Sequence, residues 1–378
     1  MANIIKRNKG WMARIYFRDD NGKRLSKSKS GFKTKGEAKA FAITMENELL
    51  KGNPLTNCET PFPKYFWDWY TTFKKPMISS RTKKSYEYTH NVIKKYFTNV
   101  ALSAITRTTY QSFLNDYGEN HAKETAHKIN VHIRACVKNA LYDNLIKRDF
   151  TEQTSVVYDN DRTQKIEYLN IDEMKRLVTH ISSTLNYHFT SKYMILLDVY
   201  TGMRLGELQG LIWSDINFNF KTVSIQRAWS ELDHDFKSTK NESSKRIIRV
   251  NDDIIDCLKG LKNSVNPVSD NQQVFLNQYK TVPTSNAANK TLRTALKDLG
   301  ISKPSFHFHS LRHTHVAYLL ANQIDLYAIS KRLGHSDIGT TSHVYSYLID
   351  EYKAKTDGQI DSVLQKIAQS EKDENQFI

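Results

Sequence analysis

The stretch from Phe306 to Tyr347 constrains this chain most, because helical periodicity and titratable side chains occur together in it. Its apolar spacing predicts two helices, Leu311–Asn322 and Ile324–Leu333, and Gly334 supplies the residue that often ends a helix. The polar residues of this stretch gather at the predicted helix ends and not on the apolar faces. Such a distribution favours a binding or catalytic site over a structural core.

Four side chains at these ends are the first candidates for chemistry. His309 and Arg312 lie at the start of the first predicted helix, His335 follows the end of the second, and Tyr345 comes ten residues later. An arginine can bind phosphate oxygens through two parallel hydrogen bonds, a histidine can move a proton, and a tyrosine can act as a nucleophile. Together they mark this stretch as a candidate functional site.

The charge of the chain indicates a polyanionic partner. Its 55 Lys and Arg against 40 Asp and Glu give a net charge of +15, an excess typical of nucleic-acid-binding proteins. No apolar run approaches the roughly 20 residues that span a bilayer, and no signal peptide pattern begins the sequence, so we expect a cytoplasmic protein with no membrane partner. The cysteines Cys58, Cys136 and Cys257 are widely spaced, which argues against a zinc finger and a disulfide scaffold.

The first 51 residues form a basic segment, with 13 Lys and Arg against 5 Asp and Glu. Alternation in Trp11–Phe17 predicts a strand, Asp19–Gly22 is a hairpin signal that leads into Arg24–Lys29, and Thr34–Leu50 has helical spacing behind a threonine cap. A small basic sheet with a helix can lie in a DNA groove, whereas the alternative is a solvated charged surface. The candidate DNA contacts are Arg14, Arg18, Lys23, Arg24 and Lys27.

Helical spacing dominates the next part of the chain. A linker rich in Gly, Pro, Asn and Thr is predicted at 52–63, and residues 64–150 are predicted to be helical throughout. Lysines recur on these helices; each alone is typical of solvated surface, but together they predict a phosphate-facing side. Its candidates are Lys83, Lys84 and Lys128. Thr151–Gln164 is polar and aperiodic, which predicts a second linker, and Asn170 with Glu173 predicts a capping box.

A second polar cluster lies upstream of the first. An apolar helix is predicted to stop at Gly202, Arg204 begins the next turn, and Glu207 three residues later can orient the guanidinium. A strand pair is predicted next, Thr222–Arg227 with Lys245–Val250, joined by a polar turn. That turn carries two candidate lysines, Lys237 and Lys240.

Five segments in this order resemble the active site of the tyrosine recombinases, the phage-type integrase family. They are TGMRLGELQGLIWSDI around Arg204, TKNESSKRIIRV with Lys240, HSLRHTHVAYL with His309 and Arg312, LGHSDIGTT with His335, and the segment of Tyr345. The basic front segment also resembles the arm-type DNA-binding domain of some integrases. Two positions depart from the family pattern. Asn241 stands in place of the usual threonine, and Tyr347 stands in place of a common histidine, which makes Tyr347 a rival nucleophile.

The resemblance implies an α+β fold that is mainly α, in three domains. These are an arm-type DNA-binding domain of a small sheet plus a helix at 1–55, a helical core-binding domain at 60–152, and a mixed α/β catalytic domain with a C-terminal tail at 165–378. The implied activity is site-specific DNA recombination through a 3′-phosphotyrosyl intermediate, which integrates or excises a phage or another mobile element.

The resemblance also assigns roles to the site residues. The catalytic set that it implies is Arg204, Lys240, His309, Arg312, His335 and the nucleophile Tyr345, with Glu207 in support. The arginines would neutralise the scissile phosphate, His309 would accept the tyrosine proton, the lysine would protonate the leaving oxygen, and His335 would donate a hydrogen bond to the phosphate. No metal or nucleotide cofactor is expected, because the exchange of one phosphoester for another is nearly isoenergetic.

The implied partners are double-stranded DNA at core and arm attachment sites and further copies of the chain in a homo-tetramer on that DNA. An excisionase and a host DNA-bending protein are additional candidates. Two other functions compete with the integrase interpretation: a Xer-like dimer resolvase, and a non-catalytic DNA-binding regulator with the same fold. The basic front segment argues against the first, and the intact catalytic set argues against the second.

Three local alternatives concern histidines and tyrosines of the first stretch. His309 and His313, four residues apart on a helix, could bind zinc, but neither an HExxH glutamate nor a matching cysteine accompanies them. Structural roles are therefore expected for His307, His313 and His315. Tyr318 and Tyr327 fall on apolar helical stripes, so we predict that both lie in the core.

Overall fold

The computed structural model describes residues 2–7, 10–18, 24–50, 60–163, 166–239, 242–339 and 341–342, the side chains of residues 18 and 48–50 excepted. Within these residues the structure combines α-helices with small antiparallel sheets and is mainly helical, which confirms the predicted fold class. The chain divides into two compact units, residues 1–164 and 165–378. Each unit is described separately.

A three-stranded antiparallel sheet and one helix form the front of the first unit. The strands are β1 (Ala2–Arg7), β2 (Gly10–Arg18) and β3 (Arg24–Phe32), in that order, and the helix is α1 (Lys35–Leu50). Ala13 and Ile15 of β2 pack with Ala38 and Ala42 of α1 in a small core. Strand β1 is an addition to the predicted pair, because its sequence ANIIKR places two apolar residues, Ile4 and Ile5, next to each other and so does not alternate. The predicted turn Asp19–Gly22 lies outside the described residues.

The register of this sheet separates the predicted DNA contacts onto two faces. Lys27 pairs with Ile15, and paired residues of antiparallel strands point to the same side, so Lys27 lies on the side that faces α1. Arg14 and Arg24 lie on the opposite side, where Arg14 is half-buried and the Arg24 guanidinium is 4.7 Å from the ring centre of Tyr16. The side chain of Arg18 and all of Lys23 lie outside the described residues.

Helices make up the rest of the first unit, as predicted. They are α2 (Phe62–Trp69), α3 (Ser80–Phe97), α4 (Arg107–Gly118) and α5 (Lys123–Tyr142). Aromatic rings fill their core; Phe62, for example, makes edge contacts with Phe66 and Phe97. A π-helical turn, Tyr70–Lys74, follows α2. Described residues 151–163 contain neither helix nor strand, consistent with the second predicted linker.

The lysines predicted to face phosphate lie on two of these helices. Lys84 on α3 and Lys128 on α5 are exposed, whereas Lys83 is half-buried. An exposed lysine can contact a DNA phosphate directly, whereas a half-buried lysine must first move toward the surface. Lys84 and Lys128 therefore fit the predicted role better than Lys83.

The second unit contains seven helices and two small sheets within its described residues. The helices are α6 (Ile171–Ser183), α7 (Ser191–Thr201), α8 (Leu205–Gln209), α9 (Asp252–Val265), α10 (Ser285–Asp298), α11 (Phe308–Ala321) and α12 (Leu326–Leu333). The strands are β4 (Ile216–Asn217), β5 (Thr222–Ile225), β6 (Arg227–Ser230), β7 (Asp235–Ser238) and β8 (Arg246–Arg249). The predicted capping box of α6 is present, since Asn170 and Glu173 each accept a hydrogen bond from the other's backbone N–H, at 2.8 and 2.9 Å.

The predicted strand pair is confirmed, but its connection is more elaborate than a polar turn. Strand β5 lies between β4 and β8 in an antiparallel sheet, and the chain between β5 and β8 forms the separate hairpin β6–β7. Lys237 lies on β7 and forms an ion pair with Asp233. Lys240 and Asn241 lie outside the described residues.

The predicted core positions of two tyrosines are wrong. Tyr318 is 36% exposed and Tyr327 is 57% exposed. Helix α12 has only eight residues, and its core is formed by Ile329 and Leu333 together with Val316 and Ala317 of α11. Tyr327 lies on α12 beside this narrow buried stripe. Tyr318 follows the buried residues Val316 and Ala317 of α11 but turns partly to the surface.

Two of the three cysteines lie within the described residues. Cys136 is buried and Cys257 is half-buried, both as free thiols, while Cys58 lies outside the described residues. Burial raises the pKa of the Cys257 thiol to about 11. No helix among the described residues is long and apolar enough to cross a membrane.

Candidate active site

Arg312 is the centre of the candidate site. It lies in the first turns of α11 and is only 2% exposed. Its Nη1 donates to the carbonyl of Gly202 at 2.6 Å, and its Nη2 donates to the carbonyl of Leu333 at 2.9 Å and to Nε2 of His335 at 2.8 Å. A guanidinium is planar and always charged, so these bonds fix the direction of a permanent positive charge.

Gly202 permits the close approach of α7 to the helices that carry the site. It ends α7 in the left-handed conformation with φ of +64°. A Cβ at this position would lie 2.8 Å from Cδ2 of His315 and 2.9 Å from a methyl group of Leu333. Only glycine combines this backbone conformation with so small a gap, which explains why the glycine follows the apolar helix.

His335 is held as a neutral ring of one tautomer. Arg312 can only donate, so Nε2 of His335 must accept, and Nδ1 carries the proton that it donates to the Thr341 hydroxyl at 2.7 Å. Burial, with the charges of Arg312, Arg204 and Arg246, lowers the pKa of His335 to about 4. In this arrangement Nε2 is an acceptor, so donation to a phosphate requires that the phosphate displace this bond.

Arg204 is oriented by a carboxylate, as predicted. It precedes α8, is 33% exposed, and donates from Nη1 to Oε1 of Glu207 at 2.8 Å. The backbone N–H of Arg204 donates to Oε2 of the same glutamate at 3.0 Å. Burial alone would raise the pKa of Glu207, but Arg246 and Arg204 outweigh burial and lower it. Glu207 is therefore a carboxylate at neutral pH, and the supporting contact predicted for it is present.

His309 occupies the first turn of α11 with its side chain exposed. Part of the ring reaches solvent, but the protein atoms around the rest of it reduce its hydration and so lower the pKa of His309. His313, Arg312, His307 and Arg204 act in the same direction. The ring of His313 lies edge-on to it, with 4.9 Å between ring centres. His309 is therefore neutral at pH 7 and able to accept a proton.

The structure brings four of the six predicted catalytic residues together. Arg312 donates to His335 at 2.8 Å, and His309 lies three residues before Arg312 on the same helix. The charge of Arg204 lowers the pKa of both histidines, which agrees with its position near them. The four are contributed by the segment before α8, by α11 and by the turn after α12. The two remaining members, Lys240 and Tyr345, and the rival Tyr347 lie outside the described residues.

Comparison with known proteins identifies the family. The model of the Phage integrase family matches residues 167–351, the range that contains every member of the predicted catalytic set. An Arm DNA-binding domain model matches residues 3–49. The chain belongs to the phage integrase family. The predicted family is thereby confirmed.

Relatives of this phage integrase family member carry matching names. It is 26% identical over 302 residues to the "Integrase" of Staphylococcus phage L54a, which covers 73% of this chain and 84% of that protein. It is 25% identical over 366 residues to "Tyrosine recombinase XerC-like" of Caldanaerobacter subterraneus subsp. tengcongensis, covering 89% and 91%. Both matches span most of each protein.

Solved structures confirm the fold at low sequence identity. The Tn1549 transposon integrase in complex with a circular intermediate DNA matches with a TM-score of 0.65 and 16% identity, over 76% of this chain and 95% of that one. The lambda integrase tetramer bound to a Holliday junction matches with a TM-score of 0.59 and 18% identity, over 89% and 96%. The fold is thus that of the phage integrases.

Two arginines outside the predicted set, the half-buried Arg332 and the buried Arg246, contact residues around the site of this family member. Arg332 of α12 donates to Nε2 of His315 at 3.2 Å and to the carbonyl of Tyr200 at 2.9 Å. Arg246 of β8 donates to Glu207 at 2.9 Å. The alternation of β8 could have indicated burial of Arg246, because it lies two residues from the core residue Ile248.

A lone carboxyl in the apolar helix α7 was also missed. Asp198 is fully buried, and neither oxygen has a hydrogen-bond partner within the described residues. Burial raises its pKa well above the ordinary range, although the nearby Arg312 acts in the opposite direction. The signal was present in the sequence, since this is the one acidic residue in the run MILLDVYT.

The tautomer of His315 predicts a pH dependence of stability. Its Nδ1 donates to the carbonyl of Val199 at 2.9 Å, so Nε2 has no proton and accepts from Arg332. Burial lowers the pKa of His315 to about 3 from the ordinary 6.5. Between those values the unfolded chain binds a proton that the folded chain does not, so stability falls as pH falls below 6.5. By pH 5.5 this one residue should cost about 1.4 kcal/mol.

Urea unfolding of wild type and His315→Asn at pH 7.5 and 5.5 measures this contribution. Asparagine keeps a donor for Val199 but does not titrate, so the stability difference between the proteins should shrink by about 1.4 kcal/mol over this range. His234→Asn, at an exposed position of the same unit, is the control and should match wild type in its pH dependence. Identical pH dependence of wild type and His315→Asn would contradict the assigned tautomer.

Within the described residues, no group of three or more His, Cys, Asp or Glu side chains is placed to hold a metal ion. The zinc alternative for the histidines of α11 therefore gains no support. His313 packs edge-on to His309, and His315 faces α7 and Arg332. The structural roles expected for these two histidines agree with their contacts.

Proposed function

We propose that this protein is a site-specific DNA recombinase of the integrase type, which cleaves and rejoins DNA through a 3′-phosphotyrosyl intermediate. The observation that carries the proposal is the convergence of Arg204, His309, Arg312 and His335 in one unit of a phage integrase family member. A buried guanidinium beside a half-exposed one is suited to bind the two non-bridging oxygens of a phosphate.

In the proposed reaction, the hydroxyl oxygen of Tyr345 attacks the scissile phosphorus and the bond from phosphorus to the 5′-oxygen breaks. His309 takes the tyrosine proton, and Lys240 gives a proton to the departing 5′-oxygen. Arg204 and Arg312 stabilise the charge of the pentacoordinate transition state. A free 5′-hydroxyl of a second strand reverses these steps, so each exchange trades one phosphoester for another and consumes no cofactor.

His335 enters this reaction through an exchange of hydrogen bonds. The incoming phosphate oxygen takes over a donor of Arg312 that now faces Nε2 of His335. The negative charge of the phosphate then raises the pKa of His335 from about 4, which favours a protonated ring that donates to the phosphate. This is the role that the family resemblance implies for His335.

The domains and partners of the proposed integrase follow from the charge and the two matched regions. We assign arm-site DNA to a domain at 1–55, core-site DNA to a helical domain at 60–152 and to the catalytic domain at 165–378, and a homo-tetramer to the active assembly. A phage or other mobile element is the proposed substrate, with an excisionase and a host DNA-bending protein as auxiliary partners in the cytoplasm. The relative named XerC-like supports dimer resolution as a second candidate, but the arm domain match favours integration.

A nicked duplex that carries the attachment site, recovered by sequencing the junctions of excised circles, tests this proposal. The nick lets a short strand diffuse away after cleavage, so wild type should accumulate an adduct that survives denaturing electrophoresis. Adduct formation should be the same with EDTA, and peptide mapping should place the phosphotyrosine at residue 345. Absence of an adduct, or a strict need for Mg²⁺, would overturn the proposal.

A further inference from the structure

Arg246 is a buried side chain that touches three different segments of the candidate site. Its Nη2 donates to Oε2 of Glu207 at 2.9 Å, its Nε donates to the carbonyl of Arg332 at 2.7 Å, and its Nη1 donates to the carbonyl of Ser244 at 2.8 Å. The side chain is 7% exposed. All three nitrogens of this guanidinium therefore donate hydrogen bonds to protein groups.

Each of these contacts leads to a different catalytic candidate. Glu207 holds Arg204 through the bonds to Nη1 and to the backbone N–H described above. Ser244 ends the short helical turn that begins two residues after Lys240. Arg332 precedes His335 by three residues. One side chain thus connects the segments that carry an arginine, a lysine and a histidine of the proposed machinery.

The end of α12 depends on Arg246 most directly. The last four carbonyls of a helix have no partner within the helix. Here the carbonyls of Ser330 and Lys331 accept from the backbone N–H groups of His335 and Gly334. The next two accept from arginine side chains, that of Arg332 from Arg246 and that of Leu333 from Arg312. Arg246 and Arg312 thus satisfy successive carbonyls of the turn that positions His335.

Gly334 shows how tightly this turn packs on Arg246. It has φ of +70°, and a Cβ there would lie 3.0 Å from Nη1 and 3.1 Å from Cδ of Arg246. Any larger residue would push the guanidinium away from its three partners. The turn before His335 therefore rests directly on the Arg246 side chain.

We infer that Arg246 is a positioning residue of the recombination reaction, which aligns Arg204, His335 and the segment of Lys240 without touching the DNA. This inference rests on the proposed function. Lysine could replace the charge beside Glu207, but its single amine cannot reproduce three donors in a fixed plane. Arg246→Lys therefore keeps the positive charge beside Glu207 but removes the three hydrogen bonds that align the segments.

The first measurement is the rate of adduct formation by Arg246→Lys on the nicked duplex. A misplacement of catalytic groups by about 1 Å can cost about 100-fold in rate, which is the expected loss. Affinity for the intact duplex should match wild type, because Arg246 does not face solvent. Arg249→Lys is the matched control: it lies on the same strand, its side chain is exposed, and it should cleave at the wild-type rate.

Two modified duplexes separate alignment from loss of fold. A methylphosphonate at the scissile position removes the charge of one non-bridging oxygen. The transition state then needs less charge stabilisation by Arg204, so a misplaced Arg204 should slow the reaction less. Sulfur in place of the 5′-oxygen gives a leaving group that needs no proton and so bypasses the lysine. The deficit of Arg246→Lys should fall from about 100-fold to about tenfold on at least one of these substrates. The ratio between substrates does not depend on the fraction of folded protein.

Each outcome either supports or overturns the inference about Arg246. Relief on either modified substrate supports the inference and identifies the segment through which Arg246 acts. An equal deficit on all three substrates, a wild-type rate, or a variant that neither folds nor binds DNA would assign Arg246 to the core alone and overturn it. Failure of wild type itself to form an adduct would overturn the proposed function, which is a separate result.

Discussion

Replacing Tyr345 by phenylalanine is expected to abolish the covalent protein–DNA adduct and to leave DNA binding unchanged. The substitution removes only the hydroxyl that would attack phosphorus, while Arg204 and Arg312 keep their hold on the phosphate. Removal of an enzyme's nucleophile lowers the rate by on the order of 10⁴-fold to 10⁶-fold, which places the adduct below detection in the trapping assay. Denaturing electrophoresis measures the adduct, and a gel shift on the intact duplex measures binding.

Tyr347→Phe is the matched control, because it makes the same change two residues away. It should form the adduct as wild type does. The reverse pattern, with Tyr345→Phe active and Tyr347→Phe inactive, would move the nucleophile to Tyr347. If each single variant still forms an adduct, neither tyrosine alone is the nucleophile, and the mechanism proposed above is wrong.

The parts of the site that depend on local sequence were predictable. The stop at Gly202, the carboxylate of Glu207 beside Arg204, and the end of α12 at Gly334 all involve residues within a few positions of one another. Helix periodicity, capping hydrogen bonds and the preference for glycine at left-handed backbone positions also act over a few residues of sequence. Sequence alone therefore located four of the catalytic candidates correctly at element ends.

The contacts that join these local pieces were not predictable. Arg312 donates to the carbonyl of Gly202, which is 110 residues away in the chain, and Arg246 donates to that of Arg332, 86 residues away. No periodicity in a single sequence records which distant carbonyl a buried arginine will meet. The structure was needed to show that both arginines serve the same helix end.

The errors arose where an element is short. The short strand β1 shows no alternation, because Ile4 and Ile5 are adjacent. The eight residues of α12 left Tyr327 outside the stripe that becomes buried. The hairpin β6–β7 was hidden in the same way, since four-residue strands inside a polar stretch resemble a turn. In each case tertiary packing, and not local pattern, decides the outcome.

Arg312→Lys is expected to lower the rate of adduct formation by about 10²-fold to 10³-fold, the usual cost of one preorganised donor at a transition state. Lysine keeps the charge but cannot donate at once to Gly202, Leu333 and the phosphate. One buried carbonyl is then left without a donor, which should reduce the free energy of unfolding by about 1–3 kcal/mol. Trapping on the nicked duplex and urea unfolding measure the two effects.

Arg176→Lys provides the control for that variant. Arg176 also donates to a backbone carbonyl of the second unit, that of Leu299, but its side chain is 48% exposed and its partner belongs to the loop after α10. This change should leave the adduct rate at the wild-type value. Arg312 is 2% exposed and already donates to Gly202, Leu333 and His335. A rate for Arg312→Lys within about tenfold of wild type would therefore mean that its guanidinium supports α7 and α12 but does not reach the phosphate.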